Sequence, residues 1–215
     1  MKQEIKGVLL DLDGTLIDAF APIIHAMTET LKVFDIPPMS DADIRRHTGR
    51  GDCSMTALFG DNKEAAGEYF ITIHDQTYLN EINPLQGSLA LLSWLREQGL
   101  SVAVVTSKGQ HRAEAQLTKL GWMDYFESII GKVDGRASKP SPEPLLLACT
   151  QMDLNAKDVV MIGDGEADMK AAKRAGCLAL GLTHSFSEQE LQDYGADACF
   201  ESLDGVLDWL KRSTV

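Results

Sequence analysis

Short apolar runs recur along the chain, separated by stretches whose apolar residues return every three or four positions. Gly7–Leu12, Leu100–Thr106, Ser128–Gly131, Val159–Gly163 and Leu178–Leu182 are apolar on successive residues, with a weaker run at Ala198–Phe200. Continuous rather than alternating apolarity predicts strands covered on both faces. Between the runs, Ser88–Gln98, Gln110–Leu120, Pro142–Met152, Glu166–Ala175 and Leu203–Lys211 read as helices. Gly99, Gly121 and Gly176 follow three of them, where a glycine ends a helix. Strand and helix alternate, which predicts an α/β fold: a doubly wound, Rossmann-like parallel sheet.

From Asp18 to about Ile82 the rhythm breaks. That segment has few β-branched runs and predicts several helices, punctuated by Pro37-Pro38 and by Gly49–Gly51. The expected organisation is a core of residues 1–15 and 85–215, with residues 16–84 inserted after the first strand as a helical cap.

At 215 residues the chain is long enough for one large domain, or for one domain carrying an insertion. Hydrophobic residues at 44% and charged residues at 24% match ordinary globular usage and exclude disordered and collagen-like chains. Lys and Arg number 20 against 32 Asp and Glu, a net charge of −12 that argues against nucleic acid and anionic lipid as partners. An anionic substrate would therefore need a locally positive site or a bound cation. Cys53, Cys149, Cys177 and Cys199 lie far apart and form no metal-binding or disulfide pattern, as expected of buried thiols in a reducing compartment. The start of the chain does not read as a signal peptide, and no apolar stretch reaches the ~18 residues of a membrane helix. The expectation is a cytoplasmic protein, monomeric or homodimeric.

Ligands of open α/β sheets bind beyond the carboxyl ends of the strands, so polar residues there are the candidates. The first strand leads into Asp11-Leu12-Asp13-Gly14-Thr15. Carboxylates two residues apart in extended chain point to one side. Like charges that close need a counter-cation, or one must hold a proton. Gly14 permits a sharp turn after them. The second major run ends at Thr106-Ser107-Lys108, hydroxyls placed where an anion could sit, and Lys139 stands beside Pro140. Asp164 and Asp168 straddle the start of a predicted helix. Each piece alone occurs by chance, as a cap or a surface charge. Their ordered occurrence supplies carboxylates, a hydroxyl and an ammonium. Oxygen ligands of this kind suit Mg²⁺ with a phosphate completing the shell.

Asp11-Leu12-Asp13-Gly14-Thr15-Leu16, Thr106, Lys139-Pro140, and Gly163-Asp164 with Asp168 resemble the four motifs of the haloacid dehalogenase-like hydrolases. The resemblance spans nearly the whole chain and looks most like the phosphoglycolate-phosphatase-type branch with a helical cap. It implies that Asp11 is the nucleophile and Asp13 the acid/base, and that Thr106 and Lys139 hold phosphoryl oxygens. It also implies that Asp11, the Asp13 carbonyl and Asp164 bind Mg²⁺, with Asp168 in support. Two departures are Ser107, where many of these phosphatases carry Asn, and Ala19, where Ser is common.

The implied reaction is Mg²⁺-dependent hydrolysis of a small phosphorylated metabolite through an aspartyl-phosphate. A sugar phosphomutase could use the same core. Mutases of this resemblance often carry a cap His shortly after the nucleophile, whereas here Ile23 sits near that place and His25 slightly beyond. A signalling receiver domain is a further alternative, but it lacks the second acid and the helical insertion. Substrate contacts are expected from Ser107, Lys108, Gly14 and Arg50. Arg50 belongs to the most basic stretch of the insertion, Arg45 to Gly51, whose glycines predict a loop that lowers Arg50 onto the site while Arg45 and Arg46 lie on a helix face. On that expectation a small acidic ester outperforms a neutral aryl phosphate. His25, His47, His74, His111 and His184 are scattered and read as surface or packing residues, with His47 the one worth watching.

Overall fold

The computed structural model describes residues 4–50 and 57–213. Gly51 and Cys53 lie outside them. Six strands form one sheet in the order β5-β4-β1-β6-β7-β8, every neighbouring pair parallel. These are β1 (Gly7–Leu10), β4 (Ser101–Gly109), β5 (Ser128–Lys132), β6 (Val159–Gly163), β7 (Leu178–Leu182) and β8 (Ala198–Phe200). The strand order reverses around β1, which puts a topological switch point at the ends of β1, β4 and β6.

The unbroken apolar runs have a direct structural reason. Val8 and Leu10 pack into a cluster on one face with Val102, Val104, Val160 and Ile162. The residues between them, Leu9, Ala103, Val105, Val159 and Met161, pack on the opposite face. Successive side chains alternate in direction, and both directions are core. Three helices, α4 (Ser88–Glu97), α5 (Gln110–Leu120) and α9 (Leu203–Ser213), cover the first face. The second is covered by α6 (Glu143–Gln151), α7 (Glu166–Ala175) and α8 (Glu188–Tyr194).

Between β1 and α4 the described residues form the helices α1 (Phe20–Val33), α2 (Asp41–Gly49) and α3 (Lys63–Thr77). They gather a third cluster of their own, from Phe20, Ile23, Met27 and Leu31 of α1, Ile44 of α2, and Phe59 and Ala66. The four α1 positions return every three or four residues, one stripe of a helix. Ser40 starts α2 by accepting the Asp43 N–H at 3.1 Å. Two short strands, β2 (Ile17–Asp18) and β3 (Asn83–Pro84), pair antiparallel where the chain enters and leaves this helical layer.

The structure departs from the sequence expectations in local ways. The regular first strand ends at Leu10, before the acidic pair, and β4 runs on to Gly109, so Thr106, Ser107 and Lys108 belong to the strand's last turn of pleat. The Arg45–Gly49 stretch is helical, and Arg50 is its C-cap rather than the tip of a loop. The β2–β3 pair and α8 were not expected. Both β2 and β3 are only two residues long, too short to leave a periodic signal.

Candidate active site

Asp11 prolongs β1 by one rung, its N–H donating to the Ile162 carbonyl at 3.0 Å. The chain then turns tightly: Leu16 and Ile17 both donate to the Leu12 carbonyl, and Gly14 donates to the Ile17 carbonyl. Leu12 is driven into the core, and Asp11 and Asp13 on either side of it face a cavity of about 770 Å³. Gly14 has φ 82°, and a Cβ there would stand 2.5 Å from the Asp164 carboxylate, so the turn requires glycine on both counts.

Lys139 is buried, and its ammonium donates to Asp11 Oδ1 (2.8 Å), Asp168 Oδ1 (2.6 Å) and the Val105 carbonyl (2.7 Å). Burial by itself would lower its pKa; the Asp11 and Asp168 carboxylates overcome that and hold it raised. Asp168 also accepts the Gly165 N–H with its other oxygen at 3.1 Å. A Cβ on Gly163 would overlap Asp168, which explains the glycine at the end of β6. Asp164 accepts the Ser185 hydroxyl at 2.8 Å. Lys108 lies 3.0 Å from Asp13 Oδ1, with both side chains almost fully buried. Thr106 Oγ1 accepts the Lys108 N–H at 3.2 Å.

Burial raises the Asp13 carboxyl above its ordinary pKa, Lys108 pulls it back, and Asp11 pushes it up again. Asp164 is raised well above the ordinary value, first by burial and then by Asp11 and Asp168. Asp168 reaches about 6, burial outweighing the attraction of Lys139. Ligand oxygens of Asp11, Asp164 and Asp168 lie within 4.8 Å of one another, all three buried. Lys139 bonds two of these carboxylates and leaves Asp164 to a neutral hydroxyl. The cluster therefore has an excess of negative charge and an all-oxygen donor set, which fits a hard divalent cation.

The structure brings Asp11, Asp13, Thr106, Ser107, Lys108, Lys139, Asp164 and Asp168 to one cavity. It does not bring Arg50, Gly14 or His47 to the cavity wall. Arg50 is turned to Glu166 on α7, with Nε 3.5 Å from the carboxylate. Gly14 serves the turn, and its carbonyl accepts from His184 Nδ1 at 2.9 Å. Sequence reasoning missed Ser185 behind Asp164, His74 and Arg112 on the cavity wall, and the Arg46 contact that joins α2 to the core. Arg46 bonds Glu190 at 2.6 Å and the Ser185 carbonyl at 3.1 Å, and lies over the Phe186 ring at 4.4 Å. No local pattern announces such a contact, because its partners are about 140 residues apart.

A buried carboxylate, a second acid of raised pKa and a fixed ammonium, at the carboxyl edge of an open parallel sheet, equip an α/β enzyme for nucleophilic group transfer. The family model of the haloacid dehalogenase-like hydrolases matches residues 8–182. Phosphoglycolate phosphatase of Yersinia pseudotuberculosis is 32% identical over 197 residues, covering 86% of this chain and 84% of the relative. N-acetylmuramic acid 6-phosphate phosphatase of Pseudomonas aeruginosa is 28% identical over 221 residues, covering 99% and 97%. Among solved structures, that of a predicted phosphatase from Clostridium acetobutylicum superposes with a TM-score of 0.88 at 26% identity, covering 97% of this chain and 99% of its own. The chain belongs to the haloacid dehalogenase-like hydrolases.

Proposed function

We propose that this chain is a phosphate monoester hydrolase that acts on a small phosphorylated metabolite through an aspartyl-phosphate on Asp11. Relatives named as phosphatases over almost its full length support the phosphatase reading. The observation that carries the mechanism is the pairing of Asp11, fixed by Lys139 at 2.8 Å, with Asp13, whose pKa is raised by burial and by Asp11 itself. One carboxylate is held in place by an ammonium and can attack. The other holds a proton more readily than an ordinary aspartate and can give it away.

An Asp11 oxygen bonds to phosphorus as the ester oxygen leaves, and Asp13 protonates that leaving alkoxide. A water then attacks the acyl phosphate, and the Asp13 carboxylate takes its proton. Asp11 departs as a free carboxylate, and inorganic phosphate is released. Lys139 and the Thr106 hydroxyl stand where they can share the charge of the phosphoryl oxygens. Asp11, the Asp13 carbonyl and Asp164 would hold Mg²⁺, and it would supply the positive charge that lets a phosphate dianion approach a carboxylate. Asp168 acts from behind, keeping Lys139 in place with one oxygen and the Gly165 turn with the other.

In this reading residues 16–84 form the cap over a core of 1–15 and 85–215, and the protein works in the cytoplasm on its own or as a homodimer. No helix among the described residues is long and apolar enough to cross a membrane. Hydrolysis is favoured over mutase chemistry because Ile23, not a histidine, lines the cavity from α1, while His25 faces a separate small pocket. The test is phosphate release from a panel of small esters with Mg²⁺ and with chelator. Multiple turnovers with Mg²⁺, lost in Asp11→Asn, support the proposal; undiminished release from Asp11→Asn refutes it.

A further inference from the structure

The loop that joins β7 to α8, residues 183–187, holds groups of the site with one set of atoms and the helical layer with another. Its Ser185 hydroxyl donates to Asp164 Oδ2 at 2.8 Å, and His184 Nδ1 lies 2.9 Å from the Gly14 carbonyl. The Ser185 carbonyl accepts from Arg46 of α2 at 3.1 Å. The same guanidinium bonds Glu190 at 2.6 Å and lies over the Phe186 ring at 4.4 Å. Glu190 in turn accepts the Ser187 N–H at 2.9 Å, at the far end of the loop. Arg46 therefore grips the loop at Ser185, at Phe186 and, by way of Glu190, at Ser187.

That grip differs from an ordinary surface contact. A lone exposed ion pair is weak, because two long side chains must be ordered in a high dielectric. Here a planar guanidinium is set by a carboxylate, a carbonyl and an aromatic face together. Phe186 is 3% exposed and packs into the core, so the surface under Arg46 is fixed. The fit of α2 is close as well: a Cβ on Gly49 would stand 2.9 Å from the Phe186 ring. At the other end of the chain of contacts, Asp164 is buried, and the Ser185 hydrogen bond orients its carboxylate. Donors behind a metal-ligating carboxylate fix its direction and set the affinity of the site.

Resting on the Mg²⁺-dependent reading above, in which Asp164 is a ligand and α2 belongs to the cap, we propose that Arg46 is a positioning residue: docked on the loop, it keeps the Ser185 hydroxyl on Asp164 and so tightens the cation site. Docking of α2 and binding of Mg²⁺ are then linked, and the linkage is reciprocal. A competing route is visible, since Gly49 also abuts Gly165, next to Asp164, and Arg50 secures that end of α2 to Glu166. The proposal assigns the effect to Arg46 and Ser185.

The test is Mg²⁺ affinity without substrate, read from melting series against Mg²⁺ at constant ionic strength. Each variant is referred to its own metal-free melting temperature, so a plain loss of stability cancels. Ser185→Ala should weaken Mg²⁺ binding about 10- to 100-fold, and Ser185→Thr, which keeps the hydroxyl, should stay within a few-fold of wild type. Arg46→Met should weaken it about fivefold or more. In the Ser185→Ala background the same Arg46→Met change should cost less than about twofold, because the hydroxyl that carries its effect is gone. Arg50→Ala should stay within about twofold of wild type. Hydrogen exchange reads the reverse direction: Mg²⁺ should slow exchange of the α2 amides in wild type and not in Ser185→Ala. Unchanged Mg²⁺ affinity in Arg46→Met overturns the proposal, as does full additivity of the two substitutions, an equal loss in Arg50→Ala, or α2 exchange that Mg²⁺ leaves unaltered in wild type. Absence of any stabilisation of wild type by Mg²⁺ overturns instead the metal assignment beneath it.

Discussion

Replacing Lys139 with Met keeps most of the side-chain volume and removes the ammonium from between Asp11 and Asp168. Three acceptors at 2.6 to 2.8 Å then lose their donor, and Asp11, Asp164 and Asp168, within 4.8 Å of one another, lose the cation that two of them share. Removing one partner from a buried ion pair costs about 3–5 kcal/mol. At ~2–4 °C per kcal/mol for a chain of this size, melting without divalent cation should fall by about 6–20 °C. The loss must also depend on pH. Asp168 already has a folded pKa of about 6, above its unfolded value, so the stability it contributes is present at low pH and is lost as pH rises through about 6. Without Lys139 that pKa climbs further, and the variant loses more over the same rise. The gap between wild type and variant should therefore widen from about pH 5 to about pH 7.5, and Mg²⁺ should narrow it at the higher pH. Thermal unfolding in chelator and in Mg²⁺ at both pH values measures this. A melting temperature within about 2 °C of wild type near pH 7.5, or a gap that does not change with pH, would refute the electrostatic account of the cluster.

Two further outcomes follow from the same geometry. Asp164→Asn removes a buried carboxylate that has no ammonium of its own, so the metal-free protein should melt higher than wild type while the stabilisation by added Mg²⁺ largely disappears; a melting series against Mg²⁺ concentration checks both halves. Arg50→Ala should leave the ranking of small esters unchanged and their kcat/KM within a few-fold, since Arg50 faces Glu166 and not the cavity; a selective loss on acidic esters in the same panel would restore it as a substrate contact.

The core was legible because its physics is local. Leu9 and Leu10 are apolar in succession since each has its own face of the sheet to cover, and Gly121 and Gly176 end helices in left-handed conformations that the sequence marks with glycine. The polar positions at strand ends were legible for a similar reason: Asp11 and Asp13 flank a single core residue, and that spacing sends both to one side. What escaped was long-range. Arg50 reads as a free cation in a glycine-rich stretch, and only the approach of α2 to α7 shows its partner. That approach is close enough that a Cβ on Gly165 would overlap the Gly49 carbonyl. His74 reads as one of five scattered histidines, and only the fold sets it on the cavity wall with Lys108 and Arg112, which come from a different part of the chain.

The central claim is that Asp11 becomes covalently phosphorylated during turnover. Acid-quenching the protein during hydrolysis of p-nitrophenyl phosphate, followed by peptide mass analysis, tests it most directly. A phosphoryl group on the peptide carrying Asp11, accumulating in Asp13→Asn because the second half-reaction lacks its base, and absent from Asp11→Asn, is the predicted result. Steady phosphate release with no phosphoryl group on that peptide in either the wild type or Asp13→Asn would contradict it.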